Sequence, residues 1–238
     1  MKKRGTTVFA GLFLYVVFLA ATIPAAFVNL VLAHYGGRNL QVANAQGTLW
    51  NGSGSLYGLE DIRWNIDVPE LLLGHVRVQI VSNIATRPME IFISPTRLEM
   101  KHIALVLPAA LLSDLTPVLK SMAPGGRLSI NTENFSVSDS FLGNLDLGWM
   151  DAASGLSRVA PVGSYLIHIA GRGHQLGLQL DTQTGPLFLA GKGNWSSSAG
   201  LNFIGTASSK NEQLSGLLNL IGKPAASGAY LIRIGGNS

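Results

Sequence analysis

The 238-residue chain has no cysteine, which excludes disulfide bridges and thiolate-bound metals. Charge is also scarce, at 13% of residues, so a buried acid–base constellation has few candidates. Seventeen Lys and Arg face thirteen Asp and Glu, and setting aside Lys2, Lys3 and Arg4 leaves 14 against 13. Beyond those three, Arg63, Arg77, Arg87 and Arg97 stand singly. Nucleic-acid binding needs a concentrated basic patch or stripe, so that class is set aside. The five histidines are His34, His75, His102, His168 and His174. His168 and His174 straddle Gly171-Arg-Gly173 six residues apart, which is not a helical ligand spacing. Gly171-x-Gly173 also lacks the third glycine of a dinucleotide loop. No nucleophile–base pair or carboxylate pair stands out. The expectation is a protein that is not an enzyme and has no metal site and no cofactor.

What is present begins with an apolar run. Gly5 to Ala33 carries no acidic or basic side chain and follows the cationic Lys2-Lys-Arg4. A membrane helix needs about 20 apolar residues, and this stretch is longer. The basic start predicts a cytoplasmic N-terminus. A signal peptide would share that start but needs a core of only about 7–15 residues; Val31-Leu-Ala33 offers a weak cleavage-like ending. Length favours a retained single-pass anchor, tolerating a kink at Pro24. The expected organisation is a cytoplasmic tip and anchor over 1–35, then a β-rich domain over 36–238 with a sub-boundary near 151–161.

The remainder reads as mainly β. Ile62/Trp64/Ile66/Val68 and Val76/Val78/Ile80 alternate with polar residues, and Leu145/Leu147/Trp149, Tyr165/Ile167/Ile169 and Leu176/Leu178/Leu180 recur at the same period of two. Period-two alternation means a sheet with one apolar and one wet face. The inward phase shifts between Ile130 and Phe135, as a bulge would make it. Asn51-Gly52 between two strand-like pieces signals a hairpin turn. Two helices interrupt the strands. Pro108–Met122 carries Leu111, Leu112, Leu115, Val118, Leu119 and Met122 at helical spacing, with Pro117 liable to split it. The other starts at Ser209, with Glu212 at capping-box distance, and ends at Gly222-Lys-Pro224. Strand, leucine-rich helix and strand thus recur over 98–137 and 194–234 as a weak internal repeat. The fold class is an antiparallel, curved β-sheet or sandwich with two short helices behind a single transmembrane helix.

The charged start, the N-terminal apolar segment and Gly47-Thr-Leu-Trp-Asn-Gly52 resemble the protein N family of the bacterial type II (general) secretion pathway. Asp61-Ile-Arg-Trp64, Leu71-Leu-Leu-Gly74, Pro124-Gly-Gly-Arg-Leu-Ser-Ile130, Gly185-Pro-Leu187 and Gly228-Ala-Tyr-Leu-Ile-Arg233 extend the likeness along the chain. The resemblance implies a non-enzymatic accessory subunit in the inner membrane of Gram-negative bacteria, with a periplasmic domain. It would assist export of folded proteins and meet inner-membrane platform or secretin subunits.

Gly47, Thr48, Leu49, Trp50, Gly52 and Trp64 are the candidate partner-binding residues. Two readings stand for them. Hairpin and sheet packing alone would explain the motif; alternatively, Trp50 beside the membrane meets a neighbouring subunit. A rival role of another class is a periplasmic lipid-binding module, since an apolar sheet face does not reveal whether protein or lipid covers it. The two helices decide between these: lying across the face they would close it, and capping its ends they would leave a lipid groove.

Overall fold

The computed structural model describes residues 2–35, 41–56, 59–83, 85, 87–114, 116–225 and 228–235. It forms two compact units, Met1–Pro88 and Met89–Ser238. Asp151–Pro161 falls inside the second unit.

The first unit starts with α1 (Lys2–Ala21) and α2 (Phe27–Tyr35). The apolar run is therefore not one continuous helix. Pro24 has no N–H and restricts Ile23, so the helical ladder stops and restarts. Thr22 closes α1 by donating its N–H and its hydroxyl to Phe18 O, at 3.1 and 2.8 Å. Among the described residues no helix is long and apolar enough to cross a membrane. A sheet follows, with β1 (Ala43–Gly47), β2 (Asn51–Leu56), β3 (Leu59–Ile66) and β4 (Val76–Val81) paired antiparallel in chain order. Ile62 and Trp64 are buried, as their alternation requires. Val68 does not continue that strand. Asp67 accepts the N–H of Glu70, Pro69 suits a first turn, and the chain enters α3 (Val68–Leu72).

The second unit is a meander of β5 (Met89–Ser94), β6 (Arg97–Pro108), β7 (Gly125–Val137), β8 (Phe141–Ala153), β9 (Gly163–Gly173), β10 (Gln175–Thr184), β11 (Leu187–Ser196) and β12 (Gly200–Ser209). Each pairs antiparallel with the next; β14 (Tyr230–Ile234) follows β12, and β13 (Lys223–Pro224) lies outside it. The strands of this unit thus follow one another in a single sheet, not a sandwich. The phase shift is present as a register shift between Asn131 and Phe135 in the β7–β8 pair.

Both expected helices are shorter and broken. The first is a 3-10 turn, Ala109–Asp114, followed by α4 (Pro117–Met122), with Thr116 accepting the Leu119 N–H. Leu115 lies outside the described residues. The second is a 3-10 turn, Glu212–Leu214, and α5 (Ser215–Ile221). Its cap is Asn211, which accepts the Gln213 N–H, because the Ser209 hydroxyl is engaged with Pro186 O and the Asn211 N–H.

Antiparallel alternation puts both helical insertions, and the 154–162 loop, at the same end of this sheet. The core is there. Leu214, Leu217 and Leu218 pack on Ala152, Val162, Tyr165, Leu187 and Ala207, with Trp149, Leu180, Leu189 and Tyr230 around them. Trp149 donates its indole N–H to Gly125 O at 2.8 Å, and the Tyr165 hydroxyl lies 3.1 Å from Leu187 O. Towards the other end, Phe141 of β8 and Trp195 of β11 meet edge to face across two intervening strands, 5.4 Å between ring centroids.

Candidate functional site

The motif residues come together at the tip of the β1–β2 hairpin, though the turn is not where Asn51-Gly52 would put it. Gly47 pairs with Gly52, so the connection is Thr48-Leu-Trp50 and Asn51 already belongs to β2. Thr48 N–H donates to Asn51 O at 2.8 Å, and Asn51 N–H donates to the Thr48 hydroxyl at 3.1 Å. Gly47 sits at φ +87°, where a Cβ would meet Asn51 O at 2.5 Å.

What shifts the turn is a set of bonds to the helix break. Leu49 N–H donates to Ile23 O at 2.8 Å, and Ala25 N–H donates to Gly47 O at 3.1 Å. Thr48 and Pro24 form an antiparallel bridge, which needs no N–H from the proline because its bonds use the Ile23 carbonyl and the Ala25 N–H. Trp50 Nε1–H donates to Ala20 O at 2.7 Å. That carbonyl belongs to the last turn of α1, where its i+4 residue, Pro24, has no N–H to give and Ile23 N–H reaches it only at 3.4 Å. Ala25, 1% exposed, is the buried point of the splice.

The second tryptophan locks the turn from the sheet side. Trp64 donates its indole N–H to Leu49 O at 2.9 Å, and Ile66 N–H donates to Trp50 O at 2.7 Å. Gly52 makes room for the Trp64 ring: an added Cβ would lie 2.2 Å from it. All six candidate residues therefore converge on one structure, the attachment of the hairpin to the α1–α2 break.

Sequence reasoning missed Asn29. Its side chain donates to Val42 O at 3.0 Å and accepts from Val42 N–H at 2.7 Å, fastening α2 to the segment before β1. The signal was available, because Asn29 is the only amide side chain between Gly5 and Ala33. A side chain that donates and accepts twice needs a polar partner rather than hydrocarbon.

Among the described residues no group of three or more His, Asp or Glu side chains could hold a metal. Three histidines face carboxylates: His75 with Glu70 at 3.3 Å, His168 with Asp146 at 2.5 Å and His102 with Glu133 at 3.8 Å. Glu70 also receives Arg77 Nη2 at 3.2 Å. Hydrogen bonds from His75 and then Arg77 hold its carboxyl below the ordinary 4.5. His174 Nδ1 lies 2.8 Å from Asp139 O.

The molecule is thus a β-meander protein gripped to its own apolar N-terminal helices through backbone and indole hydrogen bonds. A family model described as type II secretion system (T2SS), protein N matches residues 38–233, and the chain belongs to that family. Membership makes it a component of the type II secretion system, a protein-transport machine, with an envelope-associated location and other components of the system as its partners. No curated protein and no solved structure matches the chain.

Proposed function

We propose that the chain is an inner-membrane-tethered docking subunit of the type II secretion system, non-catalytic, with residues 36–238 in the periplasm. The anchor is α1. Its side chains from Leu12 to Leu19 are 46–68% exposed, an apolar surface that needs a non-aqueous partner. From Gly5 to Ala21 the helix rises only about 26 Å, a few ångströms less than a bilayer core. A thinned bilayer would close that gap.

The observation that carries this reading is the grip of Thr48–Trp50 on Ala20, Ile23 and Ala25. It couples whatever holds α1 directly to the first sheet. Docking to platform or secretin subunits would use the outer edge of β1 and the part of β14 beyond its pairing with β13 at Tyr230 and Leu231, where strand addition satisfies open backbone groups. Photo-crosslinking in the living host from Gln46 and from Arg233 tests this. Adducts to other secretion subunits support docking; none from either edge refutes it. A cytoplasmic reporter fused ahead of Met1 should be active, and inactivity would sink the proposed orientation.

A second reading has one observation in its favour. The helices of the second unit meet the sheet at one end only, while Leu145, Ile169, Leu178 and Phe203 continue the apolar face in register beyond them. A probe at Leu178 that captures phospholipid would make that face an acyl-chain groove; its capture of nothing would dismiss the lipid reading.

A further inference from the structure

The end of the first sheet that grips α1 also carries an uncovered apolar tip. Asn51 pairs with Asn65, and Ile66 N–H reaches Trp50 O, so β3 ends beside the Thr48–Trp50 turn. Asp67 N–H donates to Arg77 O, so β4 begins at that same end. Between them the chain makes α3 and the turn Leu73-Gly74, with Gly74 at φ +79°. Five helical residues advance only about 8 Å, so this tip stays within about a nanometre of the turn that holds Ala20.

Its side chains are apolar and exposed. Leu72 is 84% exposed and Leu73 72%, with Val68 and Leu71 also exposed. Glu70 is the only ionisable residue from Val68 to Gly74, and its carboxylate points back to His75 and Arg77 at the start of β4. The tip itself therefore presents no charge outward.

The pattern discriminates between kinds of partner. Leu71 and Leu72 are successive helical residues, whose side chains diverge by about 100°, and Leu73 follows at the C-cap, off the helix. A protein groove takes one helix face, read at i, i+3 and i+4. Three neighbouring leucines spread around a tip are satisfied together only by a solvent that is apolar from every direction, as acyl chains are.

We infer that the Val68–Leu73 tip is a second membrane contact, inserting Leu71, Leu72 and Leu73 into the bilayer interface beside the point where α1 leaves it. The inference rests on the proposed anchoring of α1. Two contacts at one sheet end would hold that sheet at the membrane surface and fix its orientation, which a single helix cannot do.

The chain lacks cysteine, so single labels are clean. Leu72→Cys, Leu14→Cys and Asn83→Cys, the last beyond the far end of β4, would each carry an environment-sensitive fluorophore. The full chain would be reconstituted in phosphatidylethanolamine–phosphatidylglycerol vesicles with and without nitroxide-bearing lipid. Blue-shifted, lipid-quenched emission at positions 14 and 72, and neither at 83, is the expected result. Quenching at 14 with position 72 behaving like 83 overturns the inference while the anchor stands. Absence of quenching at 14 overturns the anchor and the inference with it. A blue shift at 72 without lipid quenching means protein covers the tip, and quenching at all three positions means the sheet is not oriented; either result also overturns it.

Discussion

Replacing Gly52 by alanine should open the β2–β3 pair, and the geometry says through which residue. The new Cβ would lie 2.2 Å from Trp64 Cζ2, 2.6 Å from Cε2 and 2.8 Å from Cη2. Trp64 is 8% exposed and tied through its indole N–H to Leu49 O, so the ring cannot swing away freely. Overpacking of this kind costs about 1–3 kcal/mol, and breaking the indole bond adds about 1 kcal/mol. The expected loss is therefore about 2–4 kcal/mol of local stability. Amide hydrogen exchange of peptides spanning 51–66, in the detergent-solubilised full chain, reads that loss directly. The control is Gly74→Ala, where nothing lies within 4 Å and only φ +79° opposes a side chain. It should cost about 1–2 kcal/mol. The decisive step is a double-mutant cycle with Trp64→Phe, which removes the outer ring atoms. Gly52→Ala should then become cheaper by about 1–3 kcal/mol, while Gly74→Ala is unchanged. Additivity of Gly52→Ala and Trp64→Phe within about 0.5 kcal/mol would refute the argument that Gly52 exists to seat an indole.

Trp50→Phe keeps the ring but removes the donor to Ala20 O, costing about 1 kcal/mol at the splice. Exchange at Ile23, Ala25 and Leu49 amides should quicken about five-fold; unchanged protection would mean the indole does not hold α1. Burial pushes the Tyr165 hydroxyl up to about 12 from an ordinary 10.0. The unfolded chain ionises first, so stability is intact below pH 10 and falls as pH rises from 10 towards 12. Tyr165→Phe should cost about 1 kcal/mol near neutrality and abolish that alkaline slope in urea unfolding. Glu70 is held below 4.5 by His75 and Arg77, so its contribution is present above that value and is lost as pH falls through its lower folded pKa. A carboxyl chemical-shift titration should place its midpoint below 4.5, and Arg77→Gln should raise it; a wild-type midpoint at or above 4.5 contradicts the triad.

Alternation, bulge phase and motif order were open to reading from sequence. A strand's faces follow from successive residues alone, so Ile62/Trp64, Leu145/Leu147/Trp149 and Tyr165/Ile167/Ile169 announced their strands. The register shift near Asn131–Phe135 appeared as a change of parity, and the family followed from motifs spread along most of the chain. Within the candidate site, the six residues could be named and Trp64 could be assigned to the sheet face. Their common task could not. Local chemistry favours Asn51-Gly52 as the turn, yet Thr48–Trp50 wins because Ile23, Pro24 and Ala25 supply partners more than twenty residues away.

The helices divide the same way. Apolar spacing announced helical segments at 108–122 and 209–221, but their division into 3-10 and α pieces depends on Thr116 and Asn211 becoming caps. For Asn211 the choice was made at a distance, because Ser209 is occupied by Pro186 O. The apolar run 5–33 behaves likewise: its composition marks a segment that avoids water, while its break at Thr22–Ala26 is stabilised by the hairpin that bonds to it. Periodicity, face and family are legible along the chain, because they are properties of neighbouring residues and their order. The turn, the caps, the splice at Ala25 and the exposure of Leu72 and Leu73 come from contacts made in the folded chain. Each of those depends on which distant backbone group is left to accept or donate a hydrogen bond, or on which surface no other element covers.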